Sequence, residues 1–198
     1  MGRRVAEAEF RERPWRIHEF TEGFDVEDVW AVDVSAAADE FPRMVDLTTS
    51  VDTAESSSVA VRFLFAARWK LGEWFGWDDE DDGLDHRVPR LRGALPAELA
   101  ATVDPGRFRA LPFTPLYELP DEFAAEIANK TMHGVMHLGA VPADKGRIAV
   151  RMTVLVKTNG IFGRAYMAFI KPFRHLIVYP SMLREAERRW RVDEAGLP

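Results

Sequence analysis

Two glutamates and two histidines in the middle of the chain could carry out acid–base chemistry. Glu122 and Glu126 precede His133 and His137 by about ten residues, and both segments alternate between apolar and polar positions. Such alternation is typical of strands, so the pattern predicts two neighbouring strands. An imidazole beside a carboxylate suits proton transfer, because each group shifts the pKa of the other.

A two-residue turn at Asn129-Lys130 would set how these strands pair. In that register, Glu126 lies opposite His133 and Glu122 lies opposite His137, while the other face of the pair is apolar. Two orientations stay open. An exposed polar face would gain only about 0.2–1 kcal/mol per pair. A polar face turned toward a cavity would make Glu126 and His133 candidate catalytic residues, and His133→Ala would then change ligand binding or turnover with little change in melting temperature.

The two histidines do not predict a metal site. Four residues of a strand span about 13 Å at ~3.3 Å per residue, so His133 and His137 are too far apart to bind one ion. The chain has no cysteine, which excludes disulfides, thiolate zinc sites and cysteine nucleophiles. It also lacks the glycine motifs of hydrolases and dinucleotide-binding proteins. We predict no metal and no cofactor.

Length and charge limit the class of protein. A chain of 198 residues suits one domain, which we place at residues 15–191 between tails at 1–14 and 192–198. The net charge of -6 opposes binding to nucleic-acid phosphates. No apolar stretch approaches the ~18 residues of a membrane span, and the N-terminus lacks the apolar core of a signal peptide. We expect a cytoplasmic protein.

The order of elements favours an α+β fold with an antiparallel sheet, because a run of consecutive strands lies between helices. Trp15 to His18 could form a short edge strand. The predicted strands are 29–34, 108–119, 122–128, 131–138 and 147–157, and the predicted helices are 36–47, 56–75, 96–101 and 162–190.

The C-terminal segment shows the clearest local pattern. The alternating strand 147–157 passes through Asn159-Gly160 into a helix whose apolar residues recur every three or four positions. Pro172 and Pro180 lie inside this helix and should kink or break it, since each removes a backbone hydrogen bond. The apolar stripe continues past both prolines, so we expect a bent helix that lies across a curved sheet.

Several segments resemble one large bacterial domain family of unknown function. Residues 163–177 (GRAYMAFIKPFRHLI) resemble its C-terminal signature, as do 154–157 (VLVK), 113–117 (FTPLY) and 126–131 (EIANKT). The resemblance covers roughly residues 28–190. That family is grouped with the START-like, or helix-grip, proteins, which include lipid carriers and polyketide cyclases. The resemblance implies a sheet curled around a long C-terminal helix with an apolar cavity between them, and it implies no catalytic residues.

The leading hypothesis is therefore a small hydrophobic or amphipathic ligand held between sheet and helix. About four to six apolar groups could hold such a ligand at ~25 cal/mol per Å² of buried surface. One alternative is a cyclase- or hydro-lyase-like enzyme that uses Glu126 and His133. Another is a noncatalytic interaction module. The predicted lining comprises Ile148, Val150, Met152, Val154, Val156, Tyr166, Phe169, Ile170 and Phe173.

Four cationic or titratable residues also lie near one line of the C-terminal helix. Arg164 and Lys171 are seven residues apart, and Arg174 and His175 follow within one turn. They could form the solvent face, with apolar stems lying along the surface, or neutralise an anionic ligand head at a cavity mouth.

Overall fold

A six-stranded antiparallel sheet forms the centre of the protein, with strands in the order β1-β2-β6-β5-β4-β3. The computed structural model describes residues 2–49, 90–106, 108, 113–128 and 132–194. The strands are β1 (Arg3–Arg4), β2 (Asp25–Ala36), β3 (Thr114–Glu118), β4 (Glu122–Ala128), β5 (Met132–Pro142) and β6 (Ile148–Thr158). The helices are α1 (Ala8–Arg11), α2 (Phe41–Thr49), α3 (Ala97–Ala100), α4 (Gly160–Phe173) and α5 (Tyr179–Glu194), with 3-10 turns at Arg16–Glu19, Ala38–Glu40, Leu91–Ala94 and Asp144–Gly146.

The predicted α+β class and the antiparallel sheet are confirmed. Every predicted strand from residue 108 onward coincides with one of β3 to β6, although β3 begins only at Thr114. The first helix was predicted to begin at Ala36, but α2 begins at Phe41. Pro42 explains this start, because proline fits the first turn of a helix, where its missing N–H is not needed. The predicted helix at 56–75 lies outside the described residues.

The described part of the N-terminal segment is not a loose tail. Arg3 and Arg4 pair with β2, and Phe10 is only 2% exposed. The edge strand expected from Trp15 to His18 is instead a 3-10 turn at Arg16–Glu19. The physical reason is burial of the rings of Phe10 and Trp15 against the sheet, which removes apolar surface from water.

The pairing of β4 with β5 differs from the prediction by two residues. Ala128 lies opposite His133, and Glu126 lies opposite Val135 rather than His133. A shift of two residues keeps every side chain on its predicted face, because side chains in a strand alternate with a period of two. The predicted separation into one apolar and one polar face is therefore preserved.

Each face of the sheet carries its own buried core. The apolar face packs against α2 and α5, with Phe41, Met44, Leu183 and Trp190 among the buried residues. The opposite face is covered by two segments, residues 5–24, which we call the N-terminal cover, and residues 91–100. The sheet is thus a middle layer between two coverings.

The C-terminal helix changes its winding between the two prolines. A π-helical turn, Arg174–Val178, joins α4 to α5 and begins two residues after Pro172. Proline removes one backbone donor, and an extra residue in the turn is one way in which a helix adjusts. Within the described residues, none of the helices has both the length and the apolar character needed to cross a membrane.

Candidate functional site

Four polar side chains form a buried row on one face of β4 and β5. We call Glu122, Glu126, His133 and His137 the Glu–His ladder, and each is at most 3% exposed. His133 Nε2 lies 2.7 Å from Glu126 Oε2, and His137 Nε2 lies 3.2 Å from Glu122 Oε1. The pairs are diagonal across the two strands, because of the shifted register. The expected pairing is therefore present, and the orientation that leaves the ladder exposed is wrong.

Glu126 joins the sheet to the 3-10 turn that begins at Leu91. Its Oε2 accepts the backbone N–H of Leu91 at 2.8 Å, and its Oε1 accepts that of Arg92 at 3.0 Å. The first N–H groups of a helical turn have no acceptor within the turn, so a carboxylate satisfies them and lies at the positive end of the local dipole. With the contact from His133, both oxygens of Glu126 are occupied.

Glu122 makes the same kind of contact with the N-terminal cover. Its Oε2 accepts the backbone N–H of Arg16 at 2.7 Å, and its Oε1 accepts that of Ile17 at 2.9 Å. The Tyr117 hydroxyl donates to the same Oε1 at 2.5 Å. The two glutamates lie four residues apart on β4. Their hydrogen bonds hold the two covering segments against one face of the sheet.

These hydrogen bonds decide the charge of the carboxyl groups. Burial alone would raise the pKa of Glu126, but bonds from His133 and from two backbone N–H groups together lower it below its ordinary value. Burial likewise opposes the lowered pKa of Glu122, where His137, Tyr117 and a backbone N–H outweigh it. Both glutamates are therefore ionised at neutral pH.

The partners of Glu122 are neutral. Burial lowers the pKa of His137, and the neighbouring Glu122 carboxylate only partly offsets this effect. Burial also raises the pKa of Tyr117, and the charge of Glu122 raises it further. The imidazole and the phenol thus stabilise one negative charge without adding a second charge to the interior.

Aromatic rings of the N-terminal cover pack on the histidines. Phe10 and Trp15 lie with ring centroids 5.3 and 5.1 Å from that of His137. Phe24 lies 5.1 Å from His133 in an edge contact. These rings separate the Glu–His ladder from solvent.

Four polar atoms under this cover have no hydrogen-bond partner among the described residues. They are His133 Nδ1, Thr153 Oγ1 and both ring nitrogens of His137, whose Nε2 approaches Glu122 without the geometry of a hydrogen bond. Thr153 lies directly opposite His137 on β6 and is 0% exposed. Sequence reasoning missed Thr153, although its place in the alternation of β6 puts it on the ladder face.

The glutamates of the Glu–His ladder bind backbone N–H groups of the two covering segments. Both carboxylates are saturated with donors and have lowered pKa values, which suits a fixed negative charge. The catalytic role of Glu126 and His133 stays a prediction. Among the residues that the structure describes, no three His, Asp or Glu side chains are grouped closely enough to hold a metal ion.

The predicted apolar lining lies on the opposite face of the sheet. Val150, Met152 and Val156 are at most 3% exposed, whereas Ile148 and Val154 are partly buried. Ile170 on α4 is partly buried. The side chains of Tyr166, Phe169 and Phe173 lie outside the described part of the structure.

Two further cross-strand rows on this face follow the row of Phe123, Leu138 and Met152, and Ala125 and Met136 in these rows still belong to the core that α2 and α5 close. We call them the apolar strip. One row is Ile127, Gly134 and Val156, and the other is Ala125, Met136 and Val154. A Cβ added at Gly134 would lie 3.3 Å from Ile127 Cγ2 and 3.4 Å from the Sδ of Met132. A flexible methionine side chain therefore lies over the glycine.

The second row of the apolar strip continues onto β2, where its next residue is a buried carboxylate. Asp28 lies directly opposite Val154, and its side chain is 0% exposed. His175 Nε2 lies 2.6 Å from Oδ1, and Arg174 Nη2 lies 3.3 Å from Oδ2. Arg4 Nε is 3.5 Å from Oδ1. The π-helical turn supplies both Arg174 and His175, and such turns are frequent at functional sites.

The cations predicted along the C-terminal helix are mostly paired with carboxylates. Lys171 Nζ lies 3.3 Å from Glu27 Oε2. Glu27 precedes Asp28, which together with Arg4, Arg174 and His175 we call the Asp28 cluster. Arg164 is exposed on α4. The sequence analysis did not identify Asp28 as the partner of Arg174 and His175. The signal was a charged residue next to the apolar residues of β2, because a buried carboxylate needs a partner.

The fold and these two buried polar groups define an α+β protein whose antiparallel sheet is covered on both faces. Comparison with family models extends this description. The chain belongs to the family described as "Protein of unknown function (DUF2867)", whose model matches residues 20–181. Searches of curated proteins and of solved structures find no match.

Proposed function

We propose that the protein has a START-like helix-grip architecture and binds a small hydrophobic or amphipathic molecule on the apolar strip. The observation that carries this proposal is the contrast along one sheet face. Phe123, Leu138 and Met152 belong to the core closed by α2 and α5. In the next two rows, Ala125, Met136 and Val156 are still buried, whereas Ile127 and Val154, which lie in different rows, are only partly buried.

The strip has the chemistry of an adaptable apolar site. It combines small residues, Ala125 and Gly134, with the flexible side chains of Met132 and Met136. Methionine repacks at low cost, so these side chains can move to admit a guest. Pockets for small molecules are mostly apolar with few polar groups.

Binding of dodecanol tests this proposal, because its head group is uncharged and its chain probes the apolar strip. We expect saturable binding in isothermal titration calorimetry. Native mass spectrometry of protein purified from its host should also detect a co-purifying apolar mass. Val154→Trp should weaken dodecanol binding about tenfold or more by filling the strip. Ile161→Trp is the control, since Ile161 is 78% exposed on α4.

Two results would contradict the proposal. One is a wild-type protein that binds neither dodecanol nor dodecanoate and carries no apolar mass. The other is a folded Val154→Trp variant that binds dodecanol as tightly as wild type. The second result would place any bound molecule away from the apolar strip.

The enzymatic alternative ranks second. Its support is the buried contact of 2.7 Å between His133 and Glu126. A general base must accept a proton near the working pH, however, and the lowered pKa of Glu126 opposes this. The interaction module and the cytoplasmic location also stay predictions.

A further inference from the structure

Arg174 is a partly buried cation, and one of its guanidinium nitrogens, Nη1, lacks a strong acceptor among the described residues. Its side chain is 12% exposed. Nη2 is directed at Asp28 Oδ2 at 3.3 Å, and Nε donates to the Tyr179 hydroxyl at 2.8 Å. Nη1 has only the Met167 thioether at 3.7 Å within the described part of the chain. Sulfur is a weak acceptor, so Nη1 can still donate to a stronger one.

Tyr179 supplies a second donor at the same place. Its oxygen accepts from Arg174, which leaves its own O–H proton available to a ligand. Burial raises the pKa of Tyr179 to about 12, so the phenol stays protonated at neutral pH. The ring packs on Trp30 with centroids 5.8 Å apart, which holds the hydroxyl in position.

The charges around Asp28 leave a positive excess. One carboxylate, Asp28, faces the guanidinium groups of Arg4 and Arg174, and the ring of His175 contacts the same carboxylate. The neighbouring pair of Lys171 with Glu27 is neutral in sum. These groups thus carry at least one net positive charge, and an added anion would lower this excess.

The position of this cluster relates it to the apolar strip. Val154 belongs to the strip, and Asp28 is its direct partner on the adjacent strand. Adjacent strands lie about 4.8 Å apart. A ligand whose hydrocarbon chain lies along Met136 and Val154 would therefore place its head group next to Nη1 of Arg174.

We propose that the ligand is an amphipathic carboxylate, whose head group binds the Arg174 Nη1 donors and the Tyr179 hydroxyl while its chain lies on the apolar strip. This inference rests on the proposed function and adds the chemical class of the ligand. A carboxylate has two oxygens and can accept from both donors at once, and charge-assisted hydrogen bonds of this kind are stronger than neutral ones.

Calorimetry with dodecanoate and dodecanol tests the head group separately from the chain. We expect wild type to bind dodecanoate about tenfold or more tightly than dodecanol, as charge-assisted bonds at a partly buried site would provide. Arg174→Lys and Tyr179→Phe should each reduce this preference, because dodecanoate should lose more affinity than dodecanol in both variants. Arg164→Lys, on the exposed side of α4, should keep the full preference. Thermal melts of each variant confirm folding.

The outcomes separate the two proposals. Equal affinity of wild type for dodecanoate and dodecanol would overturn the head-group site and leave the apolar strip standing. Binding of neither molecule would overturn both. A dodecanoate preference that persists in folded Arg174→Lys and Tyr179→Phe variants would also overturn the assignment, because another cation would then hold the head group.

Discussion

Glu122 and Glu126 lie four residues apart on one strand, and each accepts two consecutive backbone N–H groups from the first residues of a 3-10 turn. One turn belongs to the N-terminal cover and the other begins at Leu91. A single polar face of the sheet thereby fixes two segments that are distant in the chain. The histidines complete the arrangement by supplying a further contact to each carboxylate.

Glu126→Gln should destabilise the fold and loosen one cover specifically. The amide loses the charge and keeps one acceptor oxygen, so we expect a loss of about 2 kcal/mol in the free energy of unfolding, as for hydrogen bonds to a charged group. Hydrogen exchange should accelerate at Leu91–Ala94 and remain slow at Arg16–Glu19. Glu122→Gln should show the reverse, and the exposed Glu98→Gln should change neither. Uniform acceleration at both turns would contradict separate anchoring.

His133→Ala should likewise lower stability, which differs from the nearly unchanged melting temperature expected from the sequence alone. The substitution leaves the buried Glu126 carboxylate without its imidazole partner and leaves a cavity beside Phe24. We expect a loss of about 2–4 kcal/mol. Urea unfolding measures it, with His18→Ala as the comparison at a partly buried position. A change in stability no larger than that of His18→Ala would contradict the structural role.

The shared face of the Glu–His ladder could be predicted, whereas its register could not. Alternation places Glu122 and Glu126 on one face of β4 and His133 and His137 on one face of β5, and burial of the two apolar sets together brings these polar faces to the same side. Register depends on the length of the connection between strands, and a shift of two residues leaves the alternation unchanged. The diagonal pairs therefore form even though the residues directly opposite one another differ from the prediction.

The sequence does not predict which segments cover the Glu–His ladder. Glu122 binds the N–H groups of Arg16 and Ile17, and every residue except proline has such a group. Side-chain chemistry could not identify these partners. The Asp28 cluster poses the same difficulty, since the direction of Arg174 depends on a π-helical turn that residue spacing does not predict.

Acid should weaken the fold in two stages. The folded pKa of His137 lies below its ordinary value of 6.5, so the unfolded chain binds a proton first as the pH falls. Stability is then lost below about pH 6.5, by up to ~1.4 kcal/mol per pH unit for one proton. Glu122 and Glu126 also have lowered folded pKa values, so their contribution is lost at lower pH, as the pH falls through those values.

Urea unfolding between about pH 7 and pH 5 checks the histidine stage. His137→Asn should flatten the dependence in this range, since asparagine does not titrate. A wild-type stability that stays constant across the range would contradict burial of a neutral imidazole at residue 137.

Gly139→Ala should displace the N-terminal cover. A Cβ at this position would lie 2.7 Å from Trp15 Cη2 and 2.8 Å from Cζ2, closer than packed atoms approach. We expect a loss of about 1–3 kcal/mol, as for overpacking in a core, together with a change in Trp fluorescence. Gly93→Ala is the matched control, since within the described residues no other heavy atom lies within 4 Å of its added Cβ. Equal stability of the two variants would contradict the close packing of Trp15 on β5.

Thr153→Val should preserve or increase stability. The Thr153 hydroxyl is buried opposite His137 with no acceptor or donor among the described residues, and valine has nearly the same shape. Removal of an unsatisfied hydroxyl should stabilise the fold by about 1 kcal/mol. Thr21→Val is the comparison, because the Thr21 hydroxyl donates to the Ile17 carbonyl at 2.9 Å and its loss should destabilise. A destabilised Thr153→Val variant would instead indicate that the hydroxyl and the imidazole of His137 share a bound water, which a high-resolution crystal structure would locate.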